Sequence, residues 1–238
     1  MGCSTSREDL SEEEIAIISV ERYLGYSNCT CKLIDLMFRK YASNGTINSR
    51  QMQEIMVHLR LKARNTHECP HIEDFYEKFK LDDGNYDFKA LLMLGICLSD
   101  GKPKEKAKLL FEIFDSSNRK TITRESVEIM IKILLMNAID FIPILCHESN
   151  LVPMYEKEIT SYTEKIRVSK EKALGSVLRK FLGKDPESCE EIELDEFLAC
   201  FNHSDAQDLL DPQGLRTYVL RKGKRLVRKP LENEGKDY

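Results

Sequence analysis

The sequence predicts an all-α fold, and three observations carry that prediction. Apolar residues recur at three- and four-residue spacing along most of the chain, as on one face of a helix. Alternation typical of strands is confined to a few residues between these segments. Proline and glycine are scarce, at 7 and 11 of 238 residues, so few helix breakers occur. With 42% hydrophobic and 32% charged residues, the chain is expected to fold as one large domain or two lobes.

Charge and targeting signals narrow the classes of function. The formal net charge is -4 and the sequence pI about 5.8, which gives no reason to expect a nucleic-acid partner. The longest apolar stretches, such as residues 129–135, fall short of the roughly 18 residues that cross a bilayer. Charged residues follow the N-terminus at once, without the apolar core of a secretory signal. A reducing compartment is therefore expected, with the 8 cysteines as thiols.

The first ten residues carry a lipidation pattern. Gly2 follows the initiator methionine, and small residues lead to Ser6, as N-myristoylation requires. One myristoyl chain binds a membrane weakly, and a palmitoyl chain on Cys3 can supply the second signal. The sequence therefore predicts that residues 1–10 are a lipidated segment that anchors the chain to the cytoplasmic face of a membrane.

Helical segments are predicted from residue 11 onward. Ser11 and Glu14 have the spacing of a capping box, so the first helix is expected to begin near residue 11. Further segments with helical spacing include residues 33–37, 52–59 and 109–114. The chain is thus predicted to be a series of helices joined by short turns.

The turns repeat one pattern. Four times an amphipathic helix runs into a short polar segment, then a single apolar residue, then another helix. The apolar residues are Ile47, Tyr86, Ile122 and Ile192, with spacings of 39, 36 and 70 residues. The first two spacings match one helix–loop–helix unit per repeat, whereas the third is about twice as long. An insertion is therefore predicted between the third and fourth units, at about residues 137–168.

This pattern resembles the EF-hand family. Residues 101–115 are also similar to the segment between the lobes of neuronal calcium sensors and calcineurin B-like proteins. The resemblance implies two EF-hand lobes, at residues 11–100 and 103–205, with a hinge at residues 99–103. It also implies that the apolar loop residues pair within each lobe in a small antiparallel sheet. Residues 206–238 are then expected to form a basic C-terminal helix and a polar tail.

The first two loops depart from the calcium-binding pattern of that family. Calcium requires oxygen ligands at loop positions 1, 3, 5, 7 and 9 and a bidentate Glu at position 12, with Gly at position 6. Position 1 is Lys40 in the first loop (residues 40–51) and Phe79 in the second (residues 79–90). Neither loop is therefore expected to bind calcium.

The third loop, residues 115–126, is also degenerate. It keeps Asp115 at position 1 but has Arg119 and Lys120 at positions 5 and 6. Two positive charges inside a site for a dication oppose binding. One of these basic side chains is expected to take the place of the ion and pair with Asp115.

The fourth loop, residues 185–196, is the best candidate for calcium. Acidic residues stand at four ligand positions, although Cys189 is a poor ligand for a hard cation and Glu190 replaces the glycine. The predicted metal ligands are Asp185, Glu187, Cys189, Glu191, Glu193 and Glu196. The sequence therefore leaves calcium as a candidate ligand of this loop and predicts no other cofactor.

The C-terminal segment is strongly basic, although the whole chain is acidic. Residues 216–229 include seven cations and no acidic residue, and apolar residues are interleaved with them. The cations are Arg216, Arg221, Lys222, Lys224, Arg225, Arg228 and Lys229. Such a segment can lie on an anionic leaflet, or it can be a solvated helix end that pairs with the acidic body.

The sequence therefore predicts a membrane-anchored EF-hand regulatory or adaptor protein of signalling. An enzyme is not expected, since no nucleophile signature or glycine-rich phosphate loop occurs. The protein would bind an amphipathic helix of a protein partner in an apolar groove, largely without calcium. The predicted groove residues are Phe38, Met52, Met56, Phe88 and Leu92. Two alternatives stay open: a calcium sensor that switches through the fourth loop only, and a structural component of a membrane skeleton.

Overall fold

Most of the protein is helical. The computed structural model describes residues 10–151, 156–182 and 189–227, and 69% of it is helix, which confirms the all-α prediction at this level. In chain order the helices are α1 (Glu12–Tyr23), α2 (Cys31–Tyr41), α3 (Ser49–Leu59), α4 (Ile72–Glu77), α5 (Phe88–Leu98), α6 (Pro103–Phe114), α7 (Arg124–Leu135), α8 (Glu156–Leu182), α9 (Leu194–Cys200), α10 (Ser204–Gln207) and α11 (Pro212–Val227).

Two short antiparallel strand pairs join the turns between helices. The strands are β1 (Thr46–Ile47), β2 (Tyr86–Asp87), β3 (Thr121–Thr123) and β4 (Glu191–Glu193). In the β1–β2 pair Ile47 lies opposite Tyr86, and in the β3–β4 pair Ile122 lies opposite Ile192. The four apolar residues that mark the sequence repeat are therefore paired as predicted.

Polar side chains cap the first helices. At the start of α1, Ser11 Oγ accepts the backbone N–H of Glu14 at 3.4 Å, so this helix begins where the sequence predicts. The Glu14 carboxylate does not complete the predicted capping box, because it points into the interior and binds Arg216 there. At α3, Asn48 and Gln51 do form a complete capping box, with N–H to oxygen distances of 2.8 and 2.9 Å.

The segment expected to be a hinge is fixed to α2. The carbonyl of Asp100 accepts the N–H of Cys31 at 2.8 Å, and its N–H donates to the carbonyl of Cys29 at 2.9 Å. A Cβ at the next residue, Gly101, would lie 2.5 Å from the sulfur of Cys31, so a larger residue here would force the Cys31 side chain to move. Buried apolar residues on both sides of this segment belong to one continuous core. The two predicted lobes are therefore packed together.

The region predicted as an insertion is mostly helical. Helix α7 continues into a π-helical stretch, Met136–Phe141, and then into a 3-10 helix, Ile142–Cys146. Helix α8 begins at Glu156 and runs for 27 residues, so it continues past residue 168, the predicted end of the insertion. Residues 156–168 of the predicted insertion therefore belong to the helix that leads toward the fourth loop.

Within the described residues, one helical stretch is apolar and long enough to cross a membrane. It covers Arg124–Cys146 and has a mean hydropathy of 2.0, although charged residues such as Lys132 interrupt it. The interior of the protein covers 56% of this window. Ile131 and Ile139 within it are fully buried, and α7 packs against α8 and α5. Since a buried core helix meets the same criterion, the stretch is only weak support for a membrane span.

Helices α8 and α11 pack closely side by side. They run antiparallel, since Tyr218 meets Ser176 and Gly223 meets Ser169. A Cβ at Gly223 would lie 2.0 Å from Ser169 Oγ, so glycine is needed for this approach. The C-terminal helix predicted from the sequence therefore packs against α8, and its helical bounds reach Val227.

Candidate functional site

A cleft of about 700 Å³ opens along helix α3. Its other walls come from the segment after α3, from α4 and from β2. The α3 residues that line it are Ser49, Met52, Gln53, Met56 and Val57, and Arg60 lines it directly after the helix ends. These positions repeat at three- and four-residue spacing and form one face of the helix over its whole length, about 16 Å. The cleft is therefore an elongated groove.

The floor of the cleft is apolar. Met52, Met56 and Tyr76 are each 4% exposed, and Tyr86 is 9% exposed. The hydroxyl of Tyr76 donates to the hydroxyl of Tyr26 at 3.4 Å, and burial raises the pKa of Tyr76 well above its usual value. Its polar end therefore faces the interior and its ring contributes to the floor.

The floor depends on the first strand pair. Tyr86 belongs to β2, where it lies opposite Ile47, and Ile47 is fully buried. Burial raises the pKa of Tyr86, and the ammonium of Lys80 lies 5.3 Å from the centre of its ring. The pairing of the first two loops therefore fixes one side of the groove.

One end of the cleft is basic. Arg60, Lys62 and Arg64 line it with exposed side chains, whereas Glu73 is the single acidic residue among its lining residues. The ammonium of Lys62 lies 5.2 Å from the centre of the Tyr23 ring. Within the described part of the chain, no ion pair involves Arg60 or Arg64. This end of the groove therefore has a local positive charge on a protein whose net charge is -4.

The backbone explains why these cations cluster. Helix α3 ends at Leu59, and Arg60 has a φ of 54° in the left-handed region, which turns the chain sharply. The N–H of Lys62 then donates to the carbonyl of Leu24 at 3.0 Å, which holds the following segment against the end of α1. The three basic residues are thereby kept at the C-terminal end of α3.

The predicted groove residues are partly correct. Met52 and Met56 line the cleft, as expected. Phe38 and Leu92 are wrong, because both are fully buried in the core. Phe88 is also wrong, because it packs partly buried against the core and lies outside the lining.

Other groove residues were missed by the sequence reasoning. Val57 is 74% exposed in the middle of the α3 face, and Tyr76 and Tyr86 build the floor. The four-residue spacing of Val57 from Gln53 places both on one helix face, which is a signal that the sequence contains. The contribution of Tyr76 depends on how α4 packs, and no local pattern encodes that.

Side chains of the first two loops bind their own backbone. Gln51, at position 12 of the first loop, accepts the N–H of Asn48 at 2.8 Å. In the second loop, Asp83 accepts the N–H of Asn85 at 2.9 Å, and Asp87 accepts the N–H of Ala90 at 3.1 Å. These bonds cap helices and close turns, so the groups that would face an ion serve the protein itself.

The third loop is closed by Asp115. Its two carboxylate oxygens accept the backbone N–H groups of Arg119 and Lys120 at 2.9 and 2.8 Å. The expectation that one of these basic side chains pairs with Asp115 is therefore wrong. The guanidinium of Arg119 instead donates to Ser117 Oγ at 3.0 Å and lies 3.9 Å from Glu191 of the fourth loop.

The fourth loop is described from Cys189 onward. Asp185 and Glu187 lie outside the described residues, so the predicted ligand set is not tested. Cys189 donates through its sulfur to the carbonyl of Glu191 at 3.3 Å. Burial, together with the nearby carboxylate of Glu196, raises the pKa of Cys189, which keeps this thiol protonated at neutral pH.

The remaining predicted ligands of this loop are exposed. Glu191 and Glu193 belong to β4, and Glu196 lies in the first turn of α9. In the part of the chain that the structure describes, no group of three or more His, Cys, Asp or Glu residues is placed to hold a metal ion.

Arg216 is not part of a basic surface, which corrects one of the seven predicted cations. Its side chain is fully buried and binds Glu14 at 2.5 Å and Glu21 at 2.8 Å. The carbonyl of Ala138 accepts a further bond at 3.1 Å, and the hydroxyl of Tyr162 donates to Glu14 at 2.5 Å. This buried cluster ties α1, α8, α11 and the π-helical stretch together.

The buried cluster contains two carboxylates for one guanidinium. Burial therefore raises the pKa of Glu21 to about 7, although the attraction of Arg216 opposes that shift. Burial alone would lower the pKa of Arg216, but Glu21 and Glu14 raise it above its usual value. The arginine stays charged, and Glu21 is the group whose proton depends on pH near neutrality.

The other predicted membrane contacts are only partly described. Arg221 and Lys222 lie near the ring of Tyr218, at 5.6 and 5.3 Å from its centre. Lys224 and Arg225 belong to α11, and nothing is described of their side chains. The lipidation residues Gly2 and Cys3, with Arg228 and Lys229, lie outside the described residues.

No protein-family model matches this chain, and no curated protein matches it in sequence. The cleft, the loops and the buried cluster are therefore the features that bear on its function.

Proposed function

We propose that this protein is an EF-hand-like regulatory or adaptor protein that holds a partner helix in the cleft along α3. The observation that carries the proposal is the cleft itself, an apolar groove of about 700 Å³ with a floor of methionine and tyrosine side chains. Methionine-rich grooves accept the apolar face of an amphipathic helix, because the flexible side chains adapt to its shape.

The loop geometry supports the resemblance to EF-hands. Gly45, Gly84 and Lys120 occupy position 6 of the first three loops, and their φ angles are 77°, 79° and 61°. A left-handed residue at this position makes the sharp turn that the EF-hand loop needs. The apolar residues at position 8 are paired in both strand pairs. Both features fit helix–loop–helix units that associate in pairs.

The bonding within the loops supports binding without a calcium switch. The Tyr86 side of the groove depends on the β1–β2 pair, and the loops beside this pair are closed by Asn48, Asp83 and Asp87. Lys40 stands at the first ligand position of the first loop, where its positive charge would repel a calcium ion. The groove therefore keeps its shape through bonds of the protein itself.

Lipid anchoring completes the proposed function. Myristate on Gly2 and palmitate on Cys3 would place the groove at the cytoplasmic face of a membrane. Membrane fractionation of Gly2→Ala and Cys3→Ser variants tests this part. We expect both variants to move into the soluble fraction, and unchanged membrane partition in both would refute the anchor.

Two measurements test the groove and the absence of a switch. In a spectrum of methionine methyl groups, an amphipathic helical peptide should shift the signals of Met52 and Met56, and unshifted signals would refute the groove. Titration calorimetry with calcium should give no binding heat for the wild type or for Glu196→Gln. Heat from the wild type that is lost in Glu196→Gln would instead favour a calcium sensor that acts through the fourth loop.

A further inference from the structure

We infer that the cleft along α3 binds an acidic amphipathic helix, with the acidic residues of that helix next to Arg60, Lys62 and Arg64. This inference rests on the proposed function and adds the chemistry of the partner. It is drawn from the shape of the cleft and from its charge distribution.

The shape of the cleft favours a helix over a compact ligand. Its α3 wall runs from Ser49 to Arg60, about 16 Å, which is the length of three helical turns. Val57 lies in the C-terminal half of this wall and is 74% exposed, whereas Met52 and Met56 are 4% exposed. A second helix lying along α3 would cover Val57 and reach both methionines with apolar residues at three- and four-residue spacing.

The charge of the cleft favours an acidic partner. Three cations and one acidic residue line it, and the cations gather at the C-terminal end of α3. Within the described residues, Arg60 and Arg64 have no carboxylate partner, so their charges are available for one. A basic helix would bring like charges together as water leaves the groove, which costs binding free energy.

The concave form of the site favours a helix over a membrane surface. Lys62 and Arg64 could attract anionic headgroups, but a bilayer is broad and cannot enter a groove to reach Met52 and Met56. Surfaces that bind membranes through apolar contacts project their apolar side chains, and here the apolar floor is recessed. We therefore expect the cations to form ion pairs with acidic side chains of a protein partner.

The experiment compares two labelled peptides with the same apolar face. One carries Glu and the other Lys at the flanking positions, and fluorescence anisotropy measures the binding of each to the full-length protein. We expect the Glu peptide to bind at least about tenfold more tightly than the Lys peptide. Arg60→Glu/Arg64→Glu should reverse this preference.

A matched control separates local charge from net charge. Lys172→Glu/Arg179→Glu makes the same change in net charge on exposed positions of α8, away from the cleft. We expect this variant to keep the preference of the wild type. If the control loses the preference for the Glu peptide to the same extent, then Arg60, Lys62 and Arg64 do not select the acidic peptide and the inference is overturned.

The remaining outcomes distinguish the inference from the proposed function. Equal or tighter binding of the Lys peptide would overturn the acidic partner and leave the groove in place. No binding of either peptide would overturn the proposed function as well. A last outcome concerns vesicles of phosphatidylcholine and phosphatidylserine. If they displace the Glu peptide, and if Arg60→Glu/Arg64→Glu no longer binds them, then the basic end of the cleft binds a membrane and the inference is overturned.

Discussion

The cleft along α3 and the packing around α11 differ in what covers their apolar surface. About 700 Å³ stays open along α3. Where the start of α11 meets α5 and α7, Leu215 is 2% exposed and the cavity that remains is about 10 Å³, room for about one water molecule. The C-terminal helix therefore covers apolar surface of its own chain, whereas the apolar surface along α3 stays open.

The arginines of the two regions show the same contrast. Arg216 is fully buried between two carboxylates and fixes the position of α11 against α1. Arg60 and Arg64 are exposed at the open groove and form no ion pair within the described residues. One region therefore uses its charge to stabilise the fold, and the other leaves its charge available for binding.

Removal of the buried arginine should have the largest effect. Arg216→Met leaves Glu14 and Glu21 buried without their partner, so we expect a loss of about 3–5 kcal/mol in the free energy of unfolding. Urea denaturation at neutral pH measures it. Arg221→Met, on an exposed position of the same helix, is the control and should keep the midpoint of the wild type. Equal midpoints for both variants would show that the buried cluster does not stabilise the fold.

Truncation of a leucine in the closed region should cost somewhat less. Leu215→Ala removes a side chain that is 2% exposed and enlarges an internal cavity, so we expect a loss of about 3 kcal/mol. Leu36→Ala, at a leucine of α2 that is 63% exposed, should stay within about 0.5 kcal/mol of the wild type. If both variants lose the same stability, the proposed difference in packing is wrong.

The stability of the closed region should also depend on pH through Glu21. The folded protein holds this proton up to about pH 7, because burial raises the pKa of Glu21 to about 7, whereas its usual value in the unfolded chain is 4.5. The contribution of this proton to the free energy of unfolding is therefore complete below pH 4.5 and is lost as the pH rises to about 7. It amounts to at most about 3 kcal/mol.

Glu21→Gln isolates this effect. The variant should become more stable relative to the wild type as the pH rises from about 4.5 to 7, since it has no proton to lose there. Thermal unfolding across this window measures the difference. Glu12→Gln, an exposed position on the same helix, is the control. If the difference in stability between Glu21→Gln and the wild type stays constant with pH, then Glu21 is not the source of the pH dependence.

The smallest change in stability is expected at the open groove. Val57→Ser should stay within about 0.5 kcal/mol of the wild type, because Val57 is 74% exposed. The same variant should weaken binding of the Glu peptide about fivefold to tenfold, since an apolar contact is lost. Val168→Ser, at a valine of α8 that is 69% exposed, is the control for both readouts. Equal peptide affinities of the two variants would remove Val57 from the binding surface.

Local patterns were enough to predict where the repeated loops lie. The position of α1 follows from its capping residue, and the spacing of apolar residues marks Ile47, Tyr86, Ile122 and Ile192, whereas their pairing was implied by the resemblance to EF-hands. These features depend on residues close in sequence or on a repeat, so the chain contains the information directly.

Tertiary packing decided the features that were predicted incorrectly. Phe38 and Leu92 look like groove residues in sequence, but the neighbouring helices bury them completely. Arg216 lies in a basic run and is nevertheless buried, because Glu14 and Glu21 reach it from the opposite end of the chain. Two glutamates seven residues apart lie on the same face of a helix as the buried Ile17, which was an available signal for a buried partner.

The most direct test of the central claim is the affinity of the Glu peptide in excess calcium and in excess chelator. The groove is held by bonds of the protein itself, through Asn48, Asp83 and Asp87 beside the β1–β2 pair. We therefore predict the same dissociation constant in both conditions, with the same shifts of the Met52 and Met56 methyl signals. Binding that occurs only with calcium would contradict the account and would show that a metal ion forms the groove.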